Sequence, residues 1–217
     1  MEREQQGQEE PETGRFIWRG SHFCLDFVNT QAMRGGQPAD LLETPADVAA
    51  WLGEAGLIAA AEAERLARRW ASDAAEGDAV LERVRAFRGG LRRMLETVVQ
   101  GGAVSTEAIT AINGALQGER GYRQVVADAA SGTFTERFVA LGGDAGEGDR
   151  VLALLAETAS DLLCRGDLSR VRVCESPRCI LFFYDTSKNR TRRWCSMAAC
   201  GNRMKAAAHF QRTRKGG

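Results

Sequence analysis

Cys174-Glu175-Ser176-Pro177-Arg178-Cys179, then fifteen residues, then Cys195-Ser196-Met197-Ala198-Ala199-Cys200-Gly201-Asn202-Arg203: the last quarter of this 217-residue chain is built on two C-x4-C pairs. Four thiolates delivered as two local pairs close a tetrahedral site around zinc, each pair clamping the ion from one segment. An all-cysteine shell leaves no position open for a substrate, so the site is structural, with one zinc held by Cys174, Cys179, Cys195 and Cys200. Two disulfides are the less favoured alternative in a chain without a secretion signal. An iron–sulfur cluster is another, although the spacing matches none of the common ferredoxin runs. Cys24 and Cys164 lie in apolar segments and are expected to be buried structural thiols.

The spacer between the pairs carries Ile180–Asp185, expected as a strand, then a turn at Lys188-Asn189 and a return through Arg192-Arg193-Trp194. A helix is expected to start near Ser196 and to carry Cys200 in its first turns. So short a module has too little core to fold on apolar burial alone, and zinc supplies the difference, roughly 10–16 kcal/mol of apparent binding energy. Ile180, Phe182, Tyr184, Trp194, Met204 and Phe210 are expected to pack around the metal.

The charge is segregated. Residues 170–217 hold 12 Lys/Arg against 2 Asp/Glu, a balance of +10, while residues 1–169 hold 17 against 27, a balance of −10. A basic end on an acidic body suggests a polyanion as partner. On a helix through residues 200–214, Cys200, Met204, Ala207, Ala208 and Gln211 face the metal, while Asn202, Lys205, His209 and Arg212 fall on the opposite side. That outer stripe has the chemistry that contacts phosphates and base edges, and Arg190, Arg192 and Arg193 add charge before it. Gly201 would admit a close backbone or phosphate approach. Arg203 flanks the metal-facing side, suited either to nucleic acid or to the carbonyls of the first knuckle. A solvated basic face is the bland alternative. With six phosphate contacts, log K would fall with log salt at a slope of about −5.

The remainder predicts a mostly helical domain over residues 15–166, preceded by an acidic tail, 1–14, expected to be disordered. Arg15–Arg19 has strand composition, and Phe23–Thr30 leans to helix. Thr44-Pro45-Ala46-Asp47 starts a helix with a Thr cap and Pro at its first position, its stripe Val48, Trp51, Leu52 and Ala55 ending at Gly56. Further helices are expected over Ala60–Ala75, Asp78–Gln100 (through Gly89-Gly90), Ser105 to Gly118 with Ile109, Ile112 and Leu116 inward, and Asp149–Arg165. Tyr122–Ala127 and Phe134–Leu141 alternate as a β-hairpin about Ala130-Ser131-Gly132, and Gly142–Gly148 reads as a loop.

This region has no Gly-rich phosphate loop and no Ser/His/Asp order, and His22 lacks a nucleophile–base arrangement, so no enzymatic function is expected. Paired carboxylates such as Glu62/Glu64 and Glu9/Glu10 read as solvated faces. Trp18, His22, Asp26 and Asn29 could line a ligand pocket, although packing and capping explain them as well. No apolar h-region or spanning run is present, so a cytoplasmic protein is expected, nucleoid-associated when bound to DNA.

Cys195-Ser196-Met197, Cys200-Gly201-Asn202-Arg203 and Lys205, with Pro177-x-Cys179, Leu181-Phe182, Asp185, Ser187, Asn189 and Arg192-Arg193-Trp194, resemble the CGNR zinc finger. Cys24-Leu25-Asp26-Phe27-Val28-Asn29-Thr30 and Thr44-Pro45…Leu52…Ala55-Gly56-Leu57 resemble the ABATE domain that accompanies it. The resemblance implies a bacterial-type, stress-induced transcription regulator that binds DNA through the finger at residues 170–214. The N-terminal domain would sense a small-molecule effector or mediate homodimerisation. An RNA- or protein-binding zinc adaptor is the alternative. The stretch Ala206-Ala207-Ala208-His209 is poorer in arginine than such fingers are expected to be. The fold class is α+β, mainly α: a helical domain with a small β-hairpin, then a treble-clef-like zinc module of hairpin plus C-terminal helix.

Overall fold

The computed structural model describes residues 14–118 and 146–207, with the backbone of the strands Gly121–Asp128 and Thr133–Ala140. The tail 1–13, the Ala130-Ser131-Gly132 turn, residues 142–145 of the expected loop, and Ala208, His209, Phe210, Gln211, Arg212, Arg214 and Lys215 lie outside the described residues.

Among the described residues, six α-helices supply the body: α1 (Phe23–Val28), α2 (Pro45–Glu54), α3 (Ala60–Ser72), α4 (Ala74–Val99), α5 (Thr106–Leu116) and α6 (Glu147–Arg165). Three antiparallel pairs of strands accompany them: β1 (Gln31–Arg34) with β2 (Gln37–Asp40), β3 (Gly121–Asp128) with β4 (Thr133–Ala140), and β5 (Val171–Val173) with β6 (Phe182–Tyr184). α2 packs on α3, α5 on α6, and α1 is enclosed by α4, α6 and β6. The core they share is centred on Phe27, Trp51, Trp70, Leu95, Leu155 and Leu162.

Local chemistry explains most boundaries. Thr44 accepts from Asp47 N while the Asp47 carboxylate accepts from Thr44 N, a reciprocal capping box ahead of Pro45. Gly56, at φ +71, stops α2 in a conformation that side chains avoid. The α3–α4 break falls at Asp73, whose carboxylate accepts from Glu76 N; α3 therefore ends at Ser72 rather than Ala75, and α4 starts at Ala74 rather than Asp78. α4 runs unbroken through Gly89-Gly90, where an added Cβ would meet only Arg93 of the same helix among the described residues. The 121–140 hairpin forms as its alternation predicts.

Four expectations are corrected. Arg15–Arg19 forms no strand; it is an irregular strap held by side chains, with Trp18 stacked on Trp51 at 5.7 Å. Ile109 points outward, 45% exposed, while Ile112 of the same helix is buried. Cys164 is exposed, the penultimate residue of α6, whereas Cys24 is fully buried. Glu62 is no solvated carboxylate, since it is bracketed by Arg150 and Arg65.

The largest departure lies in the module. β6 pairs with β5, upstream of the first cysteine, and not with Arg192-Arg193-Trp194. The strand's period of two then divides its side chains. Phe182 and Tyr184 enter the core of the helical body with Val171, while Leu181 and Phe183 face the cysteines with Ala32. Leu181 and Phe183 thus pack on the metal side in place of Ile180, Phe182 and Tyr184, joined by Trp194 as expected. The module shares the body's core.

Candidate metal centre and nucleic-acid interface

The sulfurs of Cys174, Cys179, Cys195 and Cys200 lie within 4.8 Å of one another. Cys179 Sγ is 3.7 Å from Cys195 Sγ, which is 3.8 Å from Cys200 Sγ. Those separations exclude disulfides, whose sulfurs sit about 2.05 Å apart. They match the edge of a tetrahedron with Zn–S bonds of about 2.3 Å, which is about 3.8 Å. Electrostatics agree. Hydrogen bonds from Cys179 and Cys195 pull the Cys174 thiol down to about 2, while Cys179, which would ionise beside it, is pushed up to about 12 and Cys195 is pushed up as well. Four thiolates this close require a cation, and a structural zinc fits.

Backbone geometry presents the ligands. Cys174 N donates to Leu181 O at 2.9 Å and Cys179 N to Ser176 O at 2.9 Å, which folds the first knuckle across the end of β5 and β6. Glu175 N donates to Arg193 O at 3.0 Å and brings the second segment alongside. Ser196 caps the helix there, its hydroxyl accepting from Ala199 N. Met197–Gly201 is a π-helical turn, continued as α-helix over residues 202–207. Gly201 is buried, and a Cβ there would strike Met197 Sδ and the Trp194 ring. Its lack of a side chain leaves room for Met197 and the Trp194 ring.

The expected nucleic-acid residues separate into two groups. Arg192 is withdrawn: its guanidinium lies 4.5 Å over the Phe183 ring and donates to Trp194 O, Cys195 O and Ser21 Oγ. Arg193 pairs with Glu175 at 2.6 Å, and Arg190 with Asp167 at 3.1 Å. Asn202, Arg203 and Lys205 are exposed, and their side chains make no hydrogen bond or ion pair among the described residues. Arg203 makes no bond to the carbonyls of the first knuckle among the described residues; Arg192 bonds those of the second, Trp194 O and Cys195 O. Ala207, expected to face the metal, is exposed. His209 and Arg212 lie outside the described residues.

Trp18, His22, Asp26 and Asn29 are each engaged within the fold, Trp18 by stacking on Trp51 at 5.7 Å. His22 caps α1, its Nδ1 accepting from Cys24 N at 3.2 Å while Nε2 faces Asp161 at 3.3 Å. Burial pulls His22 down to about 4, and Arg165 pairs with the other oxygen of Asp161, Oδ1, at 2.7 Å. Asp26 accepts from Gly20 N, and the Asn29 amide bonds both backbone groups of Phe182 at 2.8 Å. A concavity of about 680 Å³ lies elsewhere, between α4 and α5, floored by Phe87, Leu91, Met94 and Ile112.

Sequence reasoning missed Arg88 and Arg92. Arg88 is fully buried and grips Asp40 and Thr30; Arg92 donates to Gln31 O and Ile180 O. Both project from α4 onto the β1–β2 hairpin, which was also missed. Its signal was the Gly35-Gly36 pair, both at positive φ, forming a two-residue turn.

Among the described residues, no helix is long and apolar enough to cross a membrane. Residues 21–166 match the ABATE family model, described as "Putative stress-induced transcription regulator", and residues 170–213 match the CGNR zinc finger. Comparison with curated proteins found no match. With its four-sulfur zinc site in place behind the matched helical domain, the chain belongs to the ABATE family and ends in a CGNR zinc finger.

Proposed function

We propose that this protein is a DNA-binding transcription regulator whose zinc module contacts DNA through the helix that leaves Cys200. The observation that carries this is the exposed set Asn202, Arg203 and Lys205, fixed at its base by a metal ligand. An amide and two cations on a helix of fixed direction suit phosphates and base edges. Arg172, Arg178 and Lys188 are also exposed without ion pairs among the described residues, and extend the basic surface. The N-terminal domain supplies the regulatory input, through effector sensing or homodimerisation. The proposal assigns no catalytic step. Its setting is the cytoplasm and nucleoid.

A protein- or RNA-binding adaptor is the second reading. The exposed apolar side chains Val173 and Met197, 40% and 44% accessible, favour it. Selection of bound duplexes from a random pool by the zinc-loaded protein, with structured RNA as competitor, separates the two. Enrichment of a DNA motif that RNA does not displace supports the regulator. Failure to enrich any duplex, or displacement by RNA, overturns it in favour of the adaptor.

A further inference from the structure

The zinc knuckles are tied to the helical body by side chains from both partners. Arg192 is the centre of that tie. Its Nε donates to Trp194 O at 3.0 Å and its Nη2 to Cys195 O, which fixes the carbonyls of the second knuckle. The same guanidinium reaches Ser21 Oγ at 3.2 Å, Arg19 O at 3.5 Å and Tyr184 O at 3.5 Å, on the strap ahead of α1 and on β6. Ser21 has φ +59, a left-handed conformation that a serine adopts only where its surroundings hold it. Two further seams close the joint: Tyr184 N donates to Gly20 O at 2.7 Å, and Asn29 clasps Phe182 N and O. The strap and the end of α1 thus satisfy the edge of β6 that β5 leaves open.

We propose that Arg192 is a positioning residue through which the zinc centre and residues 18–29 form one cooperative unit, so that zinc affinity is set partly by residues remote from the metal. The proposal rests on the zinc centre and is independent of what the module contacts. A thiolate-rich centre carries negative charge, and Arg192 sets a cation and a planar fork against its backbone, as outer-shell partners of metal ligands do. Linkage makes the effect reciprocal: if zinc orders the strap, then an intact strap must tighten zinc.

The test is zinc competition against a chromogenic chelator, on the full chain. Arg192→Ala is expected to weaken zinc binding by about 10- to 100-fold. Arg192→Lys, which keeps the charge without the fork, should recover part of that loss. Asn29→Ala, at a residue that touches no cysteine, should weaken zinc by about 10-fold. Arg178→Ala, an exposed cation beside Cys179, should leave affinity within about 2-fold. Wild-type affinity in Asn29→Ala or Arg192→Ala overturns the proposal. The wild-type chain provides a second measurement that no folding defect can obscure. Chelation should lower the thermal midpoint of the helical circular-dichroism signal; an unmoved helical transition after zinc removal overturns the cooperative unit.

Discussion

Phe182→Ala tests where the module's strand belongs. Phe182 lies between the two cysteine pairs in sequence, yet its ring is 1% exposed within the core of the helical body, with the Arg92 guanidinium 5.2 Å above it. Truncating a buried phenylalanine costs about 3–5 kcal/mol, and losing the cation–π contact adds about 0.5–1 kcal/mol. The Asn29 clasp holds Phe182 by its backbone and survives the substitution. For a chain of this size each kcal/mol moves the midpoint by about 2–4 °C, so the zinc-loaded variant should melt about 10 °C lower by far-UV circular dichroism. Phe183→Ala, one residue on, faces the cysteines instead, and should weaken zinc retention more than Phe182→Ala does. A helical transition within about 2 °C of wild type in Phe182→Ala would refute the shared core.

Three further outcomes follow from particular groups. His22 titrates about 2.5 units lower in the folded chain, about 4 against 6.5, so the unfolded chain takes up the proton more readily. Its contribution is therefore present above pH 6.5 and is lost as pH falls from 6.5 through 4, up to about 3 kcal/mol; His22→Asn, which retains a capping acceptor, should flatten that part of the stability–pH curve, and an unchanged curve would contradict the assignment. Cys164 is exposed, while burial pushes the Cys24 thiol up to about 12, so zinc-loaded protein should show one fast-reacting thiol per chain, the four ligands following after chelation; two fast thiols before chelation would contradict it. Thr44→Ala removes one half of the α2 capping box and should cost about 1 kcal/mol in denaturant unfolding, with no change in zinc content; a silent substitution would contradict the cap's role.

Patterns written within one segment were legible in the sequence. The metal site was readable because its ligands come as two local pairs, and α2 because its cap, proline and stripe lie within a dozen residues. What escaped depends on contacts distant in sequence. Whether Phe182 or Phe183 faces the metal follows from β6 pairing with Val171–Val173 rather than with Arg192–Trp194, and both pairings offer plausible strands. Arg192 and Arg193 are adjacent and alike, yet one is built into the knuckle and the other pairs with Glu175 at the surface. The path of this irregular segment against Phe183 and Ser21 decides between them, and net charge does not record it. Arg88 shows the same limit: a buried cation 48 residues from its carboxylate leaves no local trace.

The withdrawal of Arg192 into backbone contacts lowers the expected electrostatic footprint from about six phosphate contacts to about five, and the slope of log K against log salt to about −4.5. Anisotropy of a labelled duplex across a salt series reads that slope directly. The zinc-loaded wild-type protein should bind with it, and Arg203→Ala combined with Lys205→Ala should weaken binding and make the slope shallower by about 1.8. A double variant that keeps both the affinity and the slope of the wild type would contradict the helix after Cys200 as the DNA contact.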